Sequence, residues 1–149
     1  MIIYKKIMNT SELMIGDWIF DDKKYAQVTS ITHRGGITTT LELNYARVIQ
    51  PIPITIKLLM AQGFINIQGI NNKSGECFIR HSDEHGNTIV RIYYYDGMSY
   101  DIVTEIETDL KQMRGTNRIH SCEITYVHEL QHALRLCGLS DIADNFKIE

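Results

Sequence analysis

The residues whose types and spacing can do chemistry lie near the C-terminus, in Ile124-Thr-Tyr-Val-His128-Glu129-Leu-Gln-His132-Ala-Leu-Arg-Leu-Cys-Gly138. Residues four apart on a helix stand one above the other, so His128 and His132 can offer two imidazoles to one metal ion. Glu129 beside them is of the type that serves as general base for a metal-bound water. That is the chemistry of a zinc peptidase. A catalytic zinc, however, takes three protein ligands and keeps a fourth position for water. The most familiar continuation needs Gly at 135 and His at 138, where this chain has Arg135 and Gly138. A ligand from a second helix would have to come from the seventeen residues after His132, whose carboxylates are Asp141, Asp144 and Glu149. His120 and Cys122, on one face of an extended segment, can instead join His128 and His132 in a closed four-ligand structural zinc site, which leaves no room for catalysis. The reading adopted is a packing helix with no catalytic residue and no cofactor. The alternative is zinc on His128 and His132 with Glu129 as base.

The helix that would carry these side chains has clear signals. At about 100° per residue, Val127, Leu130, Leu134 and Cys137 fall on one stripe. His128, Gln131, His132 and Arg135 fall opposite, on a face expected to be wet. Gly138 follows the last periodic residue and Leu139 comes next, the pattern of a glycine C-cap with an apolar residue folding back.

Composition limits the remaining classes. A chain of 149 residues, 44% hydrophobic, can bury a full core as one domain or two small lobes. A formal charge of -3 gives no broad attraction to phosphate, so nucleic acid is not a favoured partner. Binding through Lys23, Lys24 and Arg34 near the turns of an N-terminal barrel stays as a second alternative. Three cysteines without a C-x-x-C pair and a start without a long apolar core point to a reducing cytoplasm. No run reaches the ~18 apolar residues of a membrane span.

In chain order, Leu13–Phe20 is an apolar run broken by Gly16-Asp17. Tyr25–Ile31, Ile37–Leu43 and Ala46–Ile49 follow as short strands between turn signals. So many short strands bury a face only by curling, which predicts a small barrel of the Src-homology type in residues 1–53. Trp18, Tyr25 and Tyr45 are its candidate binding aromatics. Pro51 and Pro53 punctuate the chain. Thr55 then caps a short helix over 56–62, apolar nearly all round and expected to be wedged between neighbours, and Gly63 ends it. Residues 54–149 are read as an α+β lobe packed on the barrel. Its strands near 76–80, 88–95 and 100–106 form an antiparallel meander covered by the C-terminal helix. Tyr93 and Tyr95 share one face and are candidate binding residues, with Tyr94 on the other. Residues 107–118 read as a polar loop or a single helical turn, with Leu110 and Met113 at helical spacing.

Three stretches together, Leu13-Met-Ile-Gly16-Asp17-Trp18-Ile19, Pro51-Ile-Pro53-Ile-Thr55 with its short helix to Gly63-Phe64, and Tyr126–Gly138, resemble a group of small proteins encoded by gut Bacteroidetes and their bacteriophages. The resemblance spans most of the chain but leaves 65–120 without distinctive motifs. It implies a bacterial or phage-infected cytoplasm and carries no activity. The group's C-terminal motif reads Tyr-Val-His-Gln/Glu-Leu-Gln-Asn/His, so the positions of Glu129 and His132 are often amides there. That implies the shared element is the packing helix and its cap. The expectation is an α+β, non-enzymatic binding or adaptor module of phage or mobile-element origin, with another protein as its partner.

Overall fold

The computed structural model describes residues 10–21, 24–32, 36–41, 49–68, 73–83, 86–95, 99–110 and 113–148, without the side chains of 10, 21, 83, 86, 99, 106–110 and 113–121. The chain is α+β. The first sheet has the antiparallel order β3-β2-β1-β4, built from β1 (Trp18–Asp21), β2 (Lys24–Ile31), β3 (Ile37–Thr39) and β4 (Ile49–Gln50). It curls into a half-barrel around a small apolar cluster of Leu13, Ile19, Val28, Ile37 and Ile49. The curl has a local cause, because the β2–β3 register shifts between Val28 and Ser30, and such a slip sharpens the twist of a strand pair.

The proline segment is tied to the residues that lead into the C-terminal helix. Ile54 N–H donates to the Thr125 carbonyl and Val127 N–H to the Ile52 carbonyl, and Pro53 bridges Tyr126. Next comes helix α1 (Ile56–Ala61), whose Thr55 hydroxyl accepts from Leu58 N–H at 3.1 Å, as the capping signal requires. Gly63, at φ +95, ends it, and Phe64 N–H returns to the Leu59 carbonyl. The expectation of a fully wedged helix is corrected. Leu59 is buried, whereas Lys57 and Met60 stand exposed, so one flank of α1 is left open.

The second sheet is a five-stranded antiparallel meander of β5 (Ile65–Asn66), β6 (Gly75–Asp83), β7 (Gly86–Tyr95), β8 (Ser99–Leu110) and β9 (Met113–Ile124). The loop expected over 107–118 is a long β8–β9 hairpin instead. Leu110 and Met113, three apart and readable as a helical pair, are cross-strand neighbours. Ladder hydrogen bonds need no apolar period, so a polar strand pair gave no hydropathy signal.

The inner face of this sheet presents Val90, Ile92, Tyr94, Tyr100, Ile102 and Ile124 to helix α2 (Val127–Leu136), which buries Val127, Leu130, Ala133 and Leu134. Each large aliphatic side chain so buried contributes about 1.5–3 kcal/mol. Gly138 caps α2 at φ +77 with Leu139 N–H on the Leu134 carbonyl, and α3 (Ser140–Asp144) and Phe146 close over the same core. The tyrosine triplet alternates as expected, with Tyr94 fully buried, Tyr93 half-buried and Tyr95 exposed.

Candidate functional site

The polar side of α2 is not wet, and this corrects the sequence reading. Gln131 is 0% exposed and His128 3%. Gln131 faces the turn that leads into β1, where Gly16-Asp17 interrupts the apolar run. Asp17, also 0% exposed, folds its own turn by accepting from Met14 N–H at 2.8 Å on Oδ2. The same oxygen lies 2.6 Å from His132 Nε2, and Oδ1 accepts from Arg135 Nη1 at 2.7 Å. Arg135 continues to Asp144 Oδ1 at 3.1 Å. A buried carboxylate is tolerated only when its charge and lone pairs are met in this way.

Gln131 completes the junction. Its Oε1 accepts from Trp18 N–H at 2.9 Å, and its Nε2 donates to the carbonyls of Gly16 at 3.1 Å and Ala143 at 3.0 Å. One amide thus ties the half-barrel, α2 and α3 together. Gly16, at φ +92, sits so close that a Cβ there would lie 3.1 Å from Arg135 Nη2. Trp18 belongs to this junction as well. Its indole N–H donates to the Phe146 carbonyl at 3.1 Å and its ring is half-buried against the main core.

These contacts decide how far the His-Glu-x-x-His pattern fits a metal. Asp17 as a carboxylate can only accept, so His132 Nε2 carries the hydrogen in this contact, and the lone pair of a neutral ring lies on Nδ1. His128 is stacked on Tyr126, ring centroids 6.0 Å apart, and meets His132 edge-on at 5.7 Å. His128, Glu129 and His132 do line a shallow cleft of ≈ 370 Å³ together with Glu12, a carboxylate that the sequence reading did not connect to them. Among the described residues, however, no group of three or more His, Cys, Asp or Glu side chains is arranged to hold an ion. Cys122 lies toward the opposite side of α2, where burial and the nearby Cys137 push its thiol pKa up. Cys137 donates to Thr104 Oγ1 at 3.3 Å. The side chain of His120 lies outside the described residues.

A second cleft of ≈ 480 Å³ opens along the exposed flank of α1. Its walls are Tyr25 of β2, Ile52 and Pro53 of the connection, Leu58 and Ala61 of α1, and Ile148 of the tail, with Lys57 and Lys147 at the edge. Tyr25 is 43% exposed and packs edge-on against Phe20, ring centroids 5.4 Å apart. The tail is held by a reciprocal amide clasp, in which Gln62 Nε2 donates to the Lys147 carbonyl and Lys147 N–H to Gln62 Oε1, both at 2.7 Å.

Of the four singled-out aromatics among the described residues, Tyr25 alone lines this cleft. Tyr93 and the 54% exposed Tyr95 lie on the outer face of the second sheet, beside an ion-pair ladder in which Arg91 links Glu76 at 2.6 Å and Glu105 at 3.3 Å. Tyr45, Lys23 and Arg34 fall outside the described residues, while Lys24 is exposed. Sequence reasoning missed Asp17, Gln131 and Arg135 as a unit. The available signal was Asp17 itself, the sole carboxylate in the run Leu13–Phe20, which must find partners if that run is buried.

Among the described residues no helix is long and apolar enough to cross a membrane. Compared with protein-family models, curated proteins and solved structures, the chain matches none.

Proposed function

We propose that this protein is a non-enzymatic binding or adaptor module that holds another protein in the Tyr25 cleft. The observation that carries the reading is the cleft itself, an open apolar hollow of ≈ 480 Å³ with an exposed tyrosine on one wall. A concave apolar site with a few polar groups at its edge is the common form of a recognition site, and an aromatic anchor is the common form of its hot spot. The rival peptidase reading would have to take His132 through Nδ1, and among the described residues no group of three ligating side chains accompanies it. The nucleic-acid reading has only Lys24 among its described cations and a net charge of -3 against it. The resemblance to small proteins of gut Bacteroidetes and their phages suggests a phage or mobile-element origin and the cytoplasm of a bacterial or infected cell as the setting.

The test compares wild type with Tyr25→Ala and with Ala61→Trp, which fills the cleft from an exposed helix position. Partners are captured from host cells, identified, and remeasured with purified components. A direct partner held by wild type and lost from both variants supports the reading. A partner held equally by all three, or peptide hydrolysis that depends on added zinc, overturns it.

A further inference from the structure

The chemistry at the edge of the Tyr25 cleft says what kind of segment fits it. Lys57 of α1 and Lys147 of the tail both line the cleft and are both exposed, so two separate segments bring a cation to it. Among the described residues neither has a carboxylate within 4 Å, whereas Arg91 and Arg135 each bridge two. The chain as a whole is negative, at -3, so this edge runs against its general sign. The backbone of Lys147 is fixed beforehand by the Gln62 clasp, so little ordering remains to be done when an anion arrives.

We infer that the cleft takes a linear peptide segment that inserts one large apolar side chain between Tyr25 and Leu58 and sets acidic residues on both sides of it against Lys57 and Lys147. This rests on the binding-module reading and names its ligand. Two cations from separate segments match charges spread along a chain better than the single head group of a small amphiphile. The cleft is also open on one side, which lets a chain enter and leave, whereas small-ligand pockets enclose most of their occupant. The apolar anchor supplies affinity and the rim charges supply selectivity and association rate.

The experiment is a selection from a random linear peptide library on the full chain, repeated on the Lys57→Glu, Lys147→Glu double variant, with titration of the enriched peptides and of decanoate. The expected result is enrichment of a large apolar residue flanked by Asp or Glu. Affinity should fall roughly tenfold in the double variant, as two solvent-screened ion pairs are lost, and the variant should itself enrich basic flanks. Peptides without acidic bias, or binding unchanged in the double variant but lost in Ala61→Trp, overturn the inference while leaving the binding module standing. No enriched peptide, with saturable decanoate binding lost in Ala61→Trp, overturns both.

Discussion

The carboxylate of Asp17 lies 2.6 Å from the Nε2 of His132, a contact that closes 115 residues of chain. It converts the second histidine of a metal-binding pattern into a donor for a buried acid, with Arg135 on the other carboxylate oxygen. The pair is a joint between the half-barrel and α2, and its worth should be measurable as stability. Asp17→Ala, which deletes the charge, and Arg135→Met, which leaves it short of a partner, should each cost about 2–4 kcal/mol. In urea melts the two losses should fall well short of adding, with a coupling of about 1–3 kcal/mol. Additive losses would mean that the two side chains act independently.

Gln131 makes a different prediction. Its three hydrogen bonds are to backbone groups of Gly16, Trp18 and Ala143, so replacing it by Leu of similar size strands a donor and two carbonyls. The expected loss is about 2–4 kcal/mol, with a red shift of Trp18 fluorescence as the junction loosens. Gln131→Glu should be nearly as costly, because Oε1 can still accept from Trp18 but nothing donates to the carbonyls. Neutral behaviour of both variants would show that the amide is incidental.

Two glycines separate backbone strain from close approach. Gly16 and Gly138 both have positive φ, at +92 and +77, but only Gly16 has Arg135 at 3.1 Å from where a Cβ would stand, while Gly138 has nothing within 4 Å. Gly138→Ala should cost about 1 kcal/mol, the penalty of the left-handed region. Gly16→Ala should cost more than that and disturb the Arg135 ion pair. In thermal melts the reverse order would contradict the packing described.

How much of this was legible in the sequence follows from which interactions leave a local trace. The glycine cap at Gly138, the Thr55 cap of α1 and the meander were readable because caps, turns and apolar alternation are short-range patterns. The polar face of α2 was misread as solvated because hydropathy assigns polar residues to water, and nothing within the helix reveals a buried acid 115 residues away. The β8–β9 pairing was missed because Leu110 and Met113 satisfy a helical spacing as well as a cross-strand one. The Tyr25 cleft needed the fold, since its walls come from β2, the connection, α1 and the tail.

Alkaline pH should weaken the fold in a defined window. Burial pushes the Cys77, Cys122 and Tyr100 pKa values above their ordinary 9.0, 9.0 and 10.0. In the unfolded chain these groups ionise at the ordinary values, while the folded protein keeps their protons. Their contribution is therefore fully present below about pH 9 and is lost as pH rises from there through the folded values. Urea midpoints taken upward from pH 8 should fall beyond pH 9, and less steeply in a Cys77→Ala, Cys122→Ala variant. A midpoint that stays flat to pH 10.5 would contradict the burial of these groups.

The His-Glu-x-x-His helix serves as a joint between the half-barrel and the C-terminal elements. Its most direct test is zinc content by elemental analysis, on chain purified without chelators and read beside the melting temperature before and after chelation. The prediction is zinc far below one ion per chain, a melting temperature indifferent to chelator, and a lower one in His132→Ala. One zinc per chain, removed by His132→Ala and with melting lowered by chelator, would contradict it.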